Sequence, residues 1–133
     1  MIDNEIIKIA LNTKNVGLTN SYTYKSSLKN SICGDKIKLE LIFKQSKIYL
    51  MKYETEACIY CEASASLLAN KIKNLTKENA IKNLCLLKKM LKTKKYIFPA
   101  KFKEFGKLIN KKNYNRINCI NLPFDAVLKA LRK

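Results

Sequence analysis

The chain has 133 residues, 47% of them apolar and 28% charged, with a net charge of +17 and no histidine. That length and apolar content support one domain with a real core and exclude wholesale disorder, and the missing histidine removes the commonest metal ligand and the commonest general base. No run of about 18 apolar residues exists to span a membrane, and Met1-Ile2-Asp3-Asn4-Glu5 carries no basic start or long apolar run, so no secretory signal is read and a cytoplasmic protein is expected.

Glu5 to Leu11 reads as a short helix ended by the turn signal Asn15-Val16-Gly17. Ser21 to Leu28, with Tyr22 and Tyr24 in alternation, reads as an edge strand. Lys36 to Lys44 alternates Ile37, Leu39, Leu41 and Phe43 with polar residues, the pattern of a half-buried strand. Gln45-Ser46 is a tight connection to its hairpin partner, Lys47 to Ala57. The period then changes. Cys61 to Asn74 reads as a helix whose small residues, Ala63 to Ser66, allow close packing. Thr76 is a fair N-cap for a helix with Ile81, Leu84, Cys85, Leu87 and Leu91 on one face, so Cys85 is expected in the core. Pro99 interrupts the helical pattern, and Phe102, Phe105, Leu108 and Ile109 mark another short helix. The last helix is expected to begin near Leu122-Pro123, with Phe124, Val127, Leu128 and Leu131 as its buried stripe. The expected fold is α+β: one small three-stranded antiparallel sheet with helices packed on one face, in a single domain spanning 1–133.

The positive charge is carried by 25 lysines and only two arginines, Arg116 and Arg132. Base recognition leans on arginine forks, so the ratio reads as a lysine-rich composition that would attract an acidic protein surface. Lys88 to Lys112 holds ten lysines with Tyr96, Phe98, Phe102 and Phe105 interleaved. Such a stretch suits single-stranded nucleic acid, but a solvated lysine face on an amphipathic segment explains it better, and nucleic acid is not expected as a partner.

Five cysteines without a signal peptide point to reduced thiols that bind metal or react. Cys33, Asp35, Cys58 and Cys119 stand at intervals that fit one metal site. Gly34 lets Cys33 and Asp35 converge on one ion. Cys58 falls at a strand end just before a helix, where a thiolate is stabilised. Cys119 lies in or beside the last helix. Arg116, three residues earlier, shares its face and could bond Asp35 or balance the site's charge. Thiolates select zinc, copper(I) or iron–sulfur chemistry, and a carboxylate among them is an exchangeable ligand. Cys61 completes Cys58-x-x-Cys61, a weak motif when alone, and reads as a spare thiol at the helix start.

Taken in order, these segments resemble the U-type scaffold family of iron–sulfur assembly, the SufE/NifU-like fold shared by IscU, SufU and the N-terminal part of NifU. The resemblance rests on Asn15-Val16-Gly17, on Asn30-Ser31-Ile32-Cys33-Gly34-Asp35, and on Cys58 with Ala63-Ser64-Ala65-Ser66-Leu67-Leu68. It continues through Arg116-x-x-Cys119 and Leu122-Pro123-Phe124-Asp125-Ala126-Val127. It departs from the family pattern at Ser31, Thr55 and Ala57. Asn118, where IscU-type members carry histidine, and a helical insertion at about 84–113 resemble the SufU branch. What the resemblance implies is zinc held by Cys33, Asp35, Cys58 and Cys119. It implies a zinc-dependent sulfurtransferase that takes persulfide sulfur from a pyridoxal-phosphate cysteine desulfurase of the SufS/NifS kind. That sulfur would pass to a downstream cluster-assembly complex or to apo-acceptor proteins. Cys33 would be the persulfide acceptor, with Cys119 as the alternative. The other implied role is a scaffold that builds and transfers a [2Fe–2S] cluster on the same ligands.

Overall fold

The structure, a computed structural model, describes residues 3–132; Met1, Ile2 and Lys133, the ends of the expected 1–133 domain, lie outside the described residues. Helix α1 (Asn4–Leu11) starts where the Asp3 carboxylate accepts the Glu5 N–H at 2.8 Å. Strands β1 (Tyr24–Lys29), β2 (Lys36–Lys44) and β3 (Lys47–Glu56) form an antiparallel sheet in the order β1-β2-β3. Helices α2 (Ile59–Lys71) and α3 (Lys77–Thr93) come next. Two 3₁₀ segments, Ala100–Lys107 and Lys111–Arg116, lead into α4 (Ile117–Leu131). Among the described residues no helix is long and apolar enough to cross a membrane.

The sheet obeys its alternation, with Ile37, Leu39 and Leu41 of β2 fully buried. At the β2–β3 turn both Gln45 and Ser46 adopt positive φ, 53° and 64°. This backbone matches the sheet twist but suits Asn-Gly better than these residues. The pairing shifts between Ile42 and Phe43, so Tyr49 bulges outward and both Ile48 and Met51 face the core. Glu40 breaks the apolar rule on β2. It is only 3% exposed, and its carboxylate accepts the Thr19 N–H, the Thr19 hydroxyl and the Asn20 N–H at 2.8–2.9 Å, which pins the loop before β1.

Helix α2 is buried along most of its length, at Cys61 and from Ala63 through Ala69, and packs against α1, α4 and β3. Its Ala-Ser-Ala-Ser run explains how. Alanines permit close approach, and the serine hydroxyls cross-link neighbours: Ser64 donates to the Ile120 carbonyl at 2.7 Å and Ser66 to the Asn12 carbonyl at 2.9 Å. Ser26 of β1 likewise donates to the Ala126 carbonyl at 2.6 Å, fastening α4 to the sheet. Phe105 and Phe124 meet edge-on at 5.4 Å, seating the first 3₁₀ segment on α4.

Four expectations require correction. The first strand starts at Tyr24, three residues after the expected Ser21, and Tyr22 lies outside it. Helix α2 starts at Ile59, with Cys58 as its N-cap, and not at Cys61. Helix α4 starts at Ile117, so Pro123 lies inside it. Proline offers no N–H to the Cys119 carbonyl four residues back, and the buried hydrogen bond from Ser64 at the next carbonyl supports the helix there. Cys85 is exposed instead of buried. The buried stripe of α3 is Ala80, Leu84, Leu87 and Leu91, with Met90 beside it. Cys85 lies about 100° round the helix from Leu84, where it meets the Arg132 guanidinium at 3.6 Å.

Candidate metal centre

Three connections end at one place. The first is the β1–β2 loop. Gly34 takes φ +75° there and donates its N–H to the Asn30 carbonyl at 2.7 Å. The Asn30 N–H donates to the Asp35 carbonyl at 2.7 Å, and the Asn30 side-chain oxygen accepts the Ile32 N–H at 2.9 Å. Asn30 therefore holds the loop from three sides. This role of Asn30 was not read from sequence, although asparagine two residues before an apolar tip is a known turn signal. The second connection is β3 to α2, where Cys58 is the helix N-cap. The third is the first turn of α4, which carries Cys119 after the cap Arg116.

These segments bring Cys33, Asp35 and Cys119 into one cluster, with Cys58 beside Asp35. The Sγ atoms of Cys33 and Cys119 are 3.4 Å apart. Ligand atoms of Cys33, Asp35 and Cys119 all lie within 4.8 Å of one another. Cys58 joins on the Asp35 side: its N–H donates to Asp35 Oδ1 at 3.0 Å, and its Sγ lies 3.8 Å from Oδ2. A tetrahedral zinc with Zn–S bonds near 2.3 Å and Zn–O bonds near 2.0 Å needs donor separations of about 3.5–3.8 Å. Cys33, Asp35 and Cys119 lie at spacings that accommodate such an ion, and Cys58, beside Asp35, supplies a thiol of suitable chemistry at its edge. Cys58 and Cys119 both stand at the start of a helix, Cys58 as the N-cap of α2 and Cys119 in the first turn of α4.

Exposure divides the ligands. Cys33 is exposed and Cys58 half-buried, whereas Asp35 is 4% and Cys119 1% exposed. Burial, followed by the neighbouring Cys33, Asp35 and Cys58 groups, pushes the Cys119 thiol far up. Without a cation among them, such crowded acids cannot all ionise. Arg116 is exposed, and its guanidinium sits 5.3 Å over the ring of Tyr60, two residues after Cys58. Among the described residues no hydrogen bond from Arg116 to Asp35 is found, one of the two roles expected for it. Cys61 is fully buried in the first turn of α2, and burial first, then Asp35, Cys58, Glu62 and Cys33, pushes its thiol far up as well.

The profile of the NifU-like N-terminal domain family matches residues 1–132. The zinc-dependent sulfurtransferase SufU of Bacillus subtilis strain 168 is 27% identical over 123 residues, covering 92% of this chain and 83% of that protein. Among solved structures, an N-terminal NifU-like protein from Brucella abortus superposes with a TM-score of 0.84 at 18% identity, over 98% of this chain and 91% of that one. A candidate iron–sulfur cluster assembly scaffold for the SUF system from Fervidobacterium islandicum AW-1 gives a TM-score of 0.83 at 24% identity, over 98% and 96% of the two chains.

Proposed function

We propose that this chain, which belongs to the NifU-like N-terminal domain family, is a zinc-containing sulfur acceptor in iron–sulfur cluster assembly. The observation that supports this reading is the cluster of Cys33, Asp35 and Cys119 from distant segments, with Cys58 beside Asp35. The sulfurtransferase name of its Bacillus subtilis relative supports it. When bound, zinc would hold the thiols as thiolates and lock the three segments together.

The exposure gradient supports Cys33 as the acceptor, since a partner's persulfide can reach its sulfur and cannot reach Cys119. Asp35 holds Cys58 in place through its Oδ1, whereas Cys33 is held by its own loop and its contact with Cys119. The Cys33 thiolate attacks the outer sulfur of the persulfide on a cysteine desulfurase. The S–S bond of that persulfide breaks, the partner's cysteine leaves as thiolate, and Cys33 becomes the persulfide. The sulfane sulfur then passes to a downstream assembly complex or an apo-acceptor. The protein works in the cytoplasm in this reading.

Incubation with a cysteine desulfurase and free cysteine, followed by peptide mass spectrometry, tests the proposal. One added sulfur atom on the peptide containing Cys33 supports it. Its absence with an active partner refutes it. Anaerobic treatment with iron and sulfide separates the scaffold alternative: a stable visible chromophore that transfers to an apo-protein would favour a [2Fe–2S] carrier on the same four ligands.

A further inference from the structure

The loop that carries Cys33 also carries an apolar side chain with nothing to cover it. Ile32 is 74% exposed at the tip, directly before the acceptor cysteine. Scattered single hydrophobics on a surface need no explanation, but this one differs in two respects. Its backbone is fixed: the Ile32 N–H is held by the Asn30 side chain, and the loop around it is closed by the Asn30–Asp35 and Gly34–Asn30 bonds. A fixed apolar tip loses little freedom on binding, which is what a hot-spot anchor requires. Secondly, the register puts Lys29 of β1 directly opposite Lys36 of β2 at the root of the same loop. Like charges directly opposite destabilise a sheet. Among the described residues the ion-pair partner of Lys36 is the exposed Glu56 at 3.8 Å, so the pair leaves positive charge beneath the tip.

We infer that Ile32 and the Lys29/Lys36 pair form the docking element for the sulfur donor, and that the donor offers an apolar recess rimmed by carboxylates. Insertion of Ile32 would bring Cys33 to the bottom of that recess, where a persulfide would wait. The inference rests on the reading of this chain as a sulfur acceptor, and it assigns Ile32 as a specificity determinant and not as a catalytic residue.

The test compares wild type with Ile32→Ala, Lys29→Glu and Ile97→Ala in sulfur transfer from a cysteine desulfurase of the same organism, and measures binding of each to that desulfurase without cysteine. Ile97 is a control: it is 81% exposed, in the segment between α3 and the first 3₁₀ segment. Ile32→Ala should raise KM, and weaken binding, by about tenfold to a hundredfold. It should leave kcat, zinc content and melting temperature at wild-type values, because an exposed side chain contributes little to folding. Lys29→Glu should raise KM and flatten the salt dependence of association, and Ile97→Ala should change nothing. Equal KM and binding for wild type and Ile32→Ala would overturn the inference while leaving the sulfur-acceptor reading intact. Equal loss in Ile97→Ala would overturn it too, since the effect would then be general surface hydrophobicity. A wild-type protein that neither binds the desulfurase nor takes its sulfur would overturn both.

Discussion

Replacing Gly34 with alanine probes the turn on which the centre depends. Gly34 sits at φ +75°, and a Cβ added there would meet nothing within 4 Å. No clash contributes, so the cost is conformational. Left-handed backbone costs an L-residue about 1–2 kcal/mol, and the stiffer unfolded chain returns about 0.4–1 kcal/mol, for a net loss of about 1 kcal/mol. In a domain of this size that lowers the melting temperature by about 3–5 °C. If the loop instead relaxes toward negative φ, the Gly34–Asn30 hydrogen bond opens and Cys33 and Asp35 diverge. Zinc affinity then falls by about fivefold to tenfold for the same order of free energy. Thermal unfolding of the metal-free protein and competition for zinc against a chromogenic chelator measure the two effects. Gly17→Ala is the control. Gly17 also takes positive φ, +107°, with open space around it, but it precedes β1 and is remote in sequence from the ligands. It should lose stability and keep its zinc affinity. If Gly34→Ala and Gly17→Ala both keep wild-type zinc affinity and Gly34→Ala keeps wild-type stability, the reasoning that Gly34 shapes the centre is refuted.

Zinc affinity should rise with pH, because the Cys119 proton, held by burial and crowding, must leave on binding; calorimetry in buffers of different ionisation enthalpy should register net proton release, and none would contradict this. Glu40→Gln should cost about 1–3 kcal/mol at neutral pH. Burial pushes the Glu40 carboxyl up, but the bonds from Thr19 and Asn20 together outweigh it and hold it below the ordinary glutamate value. Its stabilisation is therefore present above about pH 4.5 and lost as pH falls through the depressed native value, so the melting curves of wild type and variant should converge in acid. Ser64→Ala should cost about 1 kcal/mol by leaving the buried Ile120 carbonyl short of its partner, read as a lower urea midpoint at unchanged slope. Gln45→Asn with Ser46→Gly should raise the melting temperature by several degrees, since both positions already hold positive φ; a neutral result would show that the turn carries no strain.

Much of this was legible in the sequence because the signals were local. Alternation in Lys36–Lys44 wrote a strand with one buried face, and Thr76 capped α3 through the Asn79 N–H as its side-chain chemistry required. The candidate ligand set could be put forward from sequence because few residue types can hold a soft metal once histidine is absent, and because Gly34 and the strand-to-helix change at Cys58 marked where two of those segments turn; the start of α4 ahead of Cys119 was not among those signals. What was missed depended on neighbours. A proline at a helix start and a proline inside a helix look alike until Ser64 is found supporting the next carbonyl. Cys85 looked buried because α3 carries many apolar residues, but in the fold its stripe rests on α4, too narrow a contact to cover the flank. Asn30 carried only the general turn signal of an asparagine; its particular role is three hydrogen bonds that exist only once the loop has closed.

The most direct test of the centre is X-ray absorption at the zinc edge of the freshly purified protein. Three sulfur neighbours near 2.3 Å and one oxygen near 2.0 Å are expected, with the oxygen contribution altered in Asp35→Ala. A first shell dominated by oxygen or nitrogen, or a purified wild-type protein that retains no zinc and takes none up, would contradict the account.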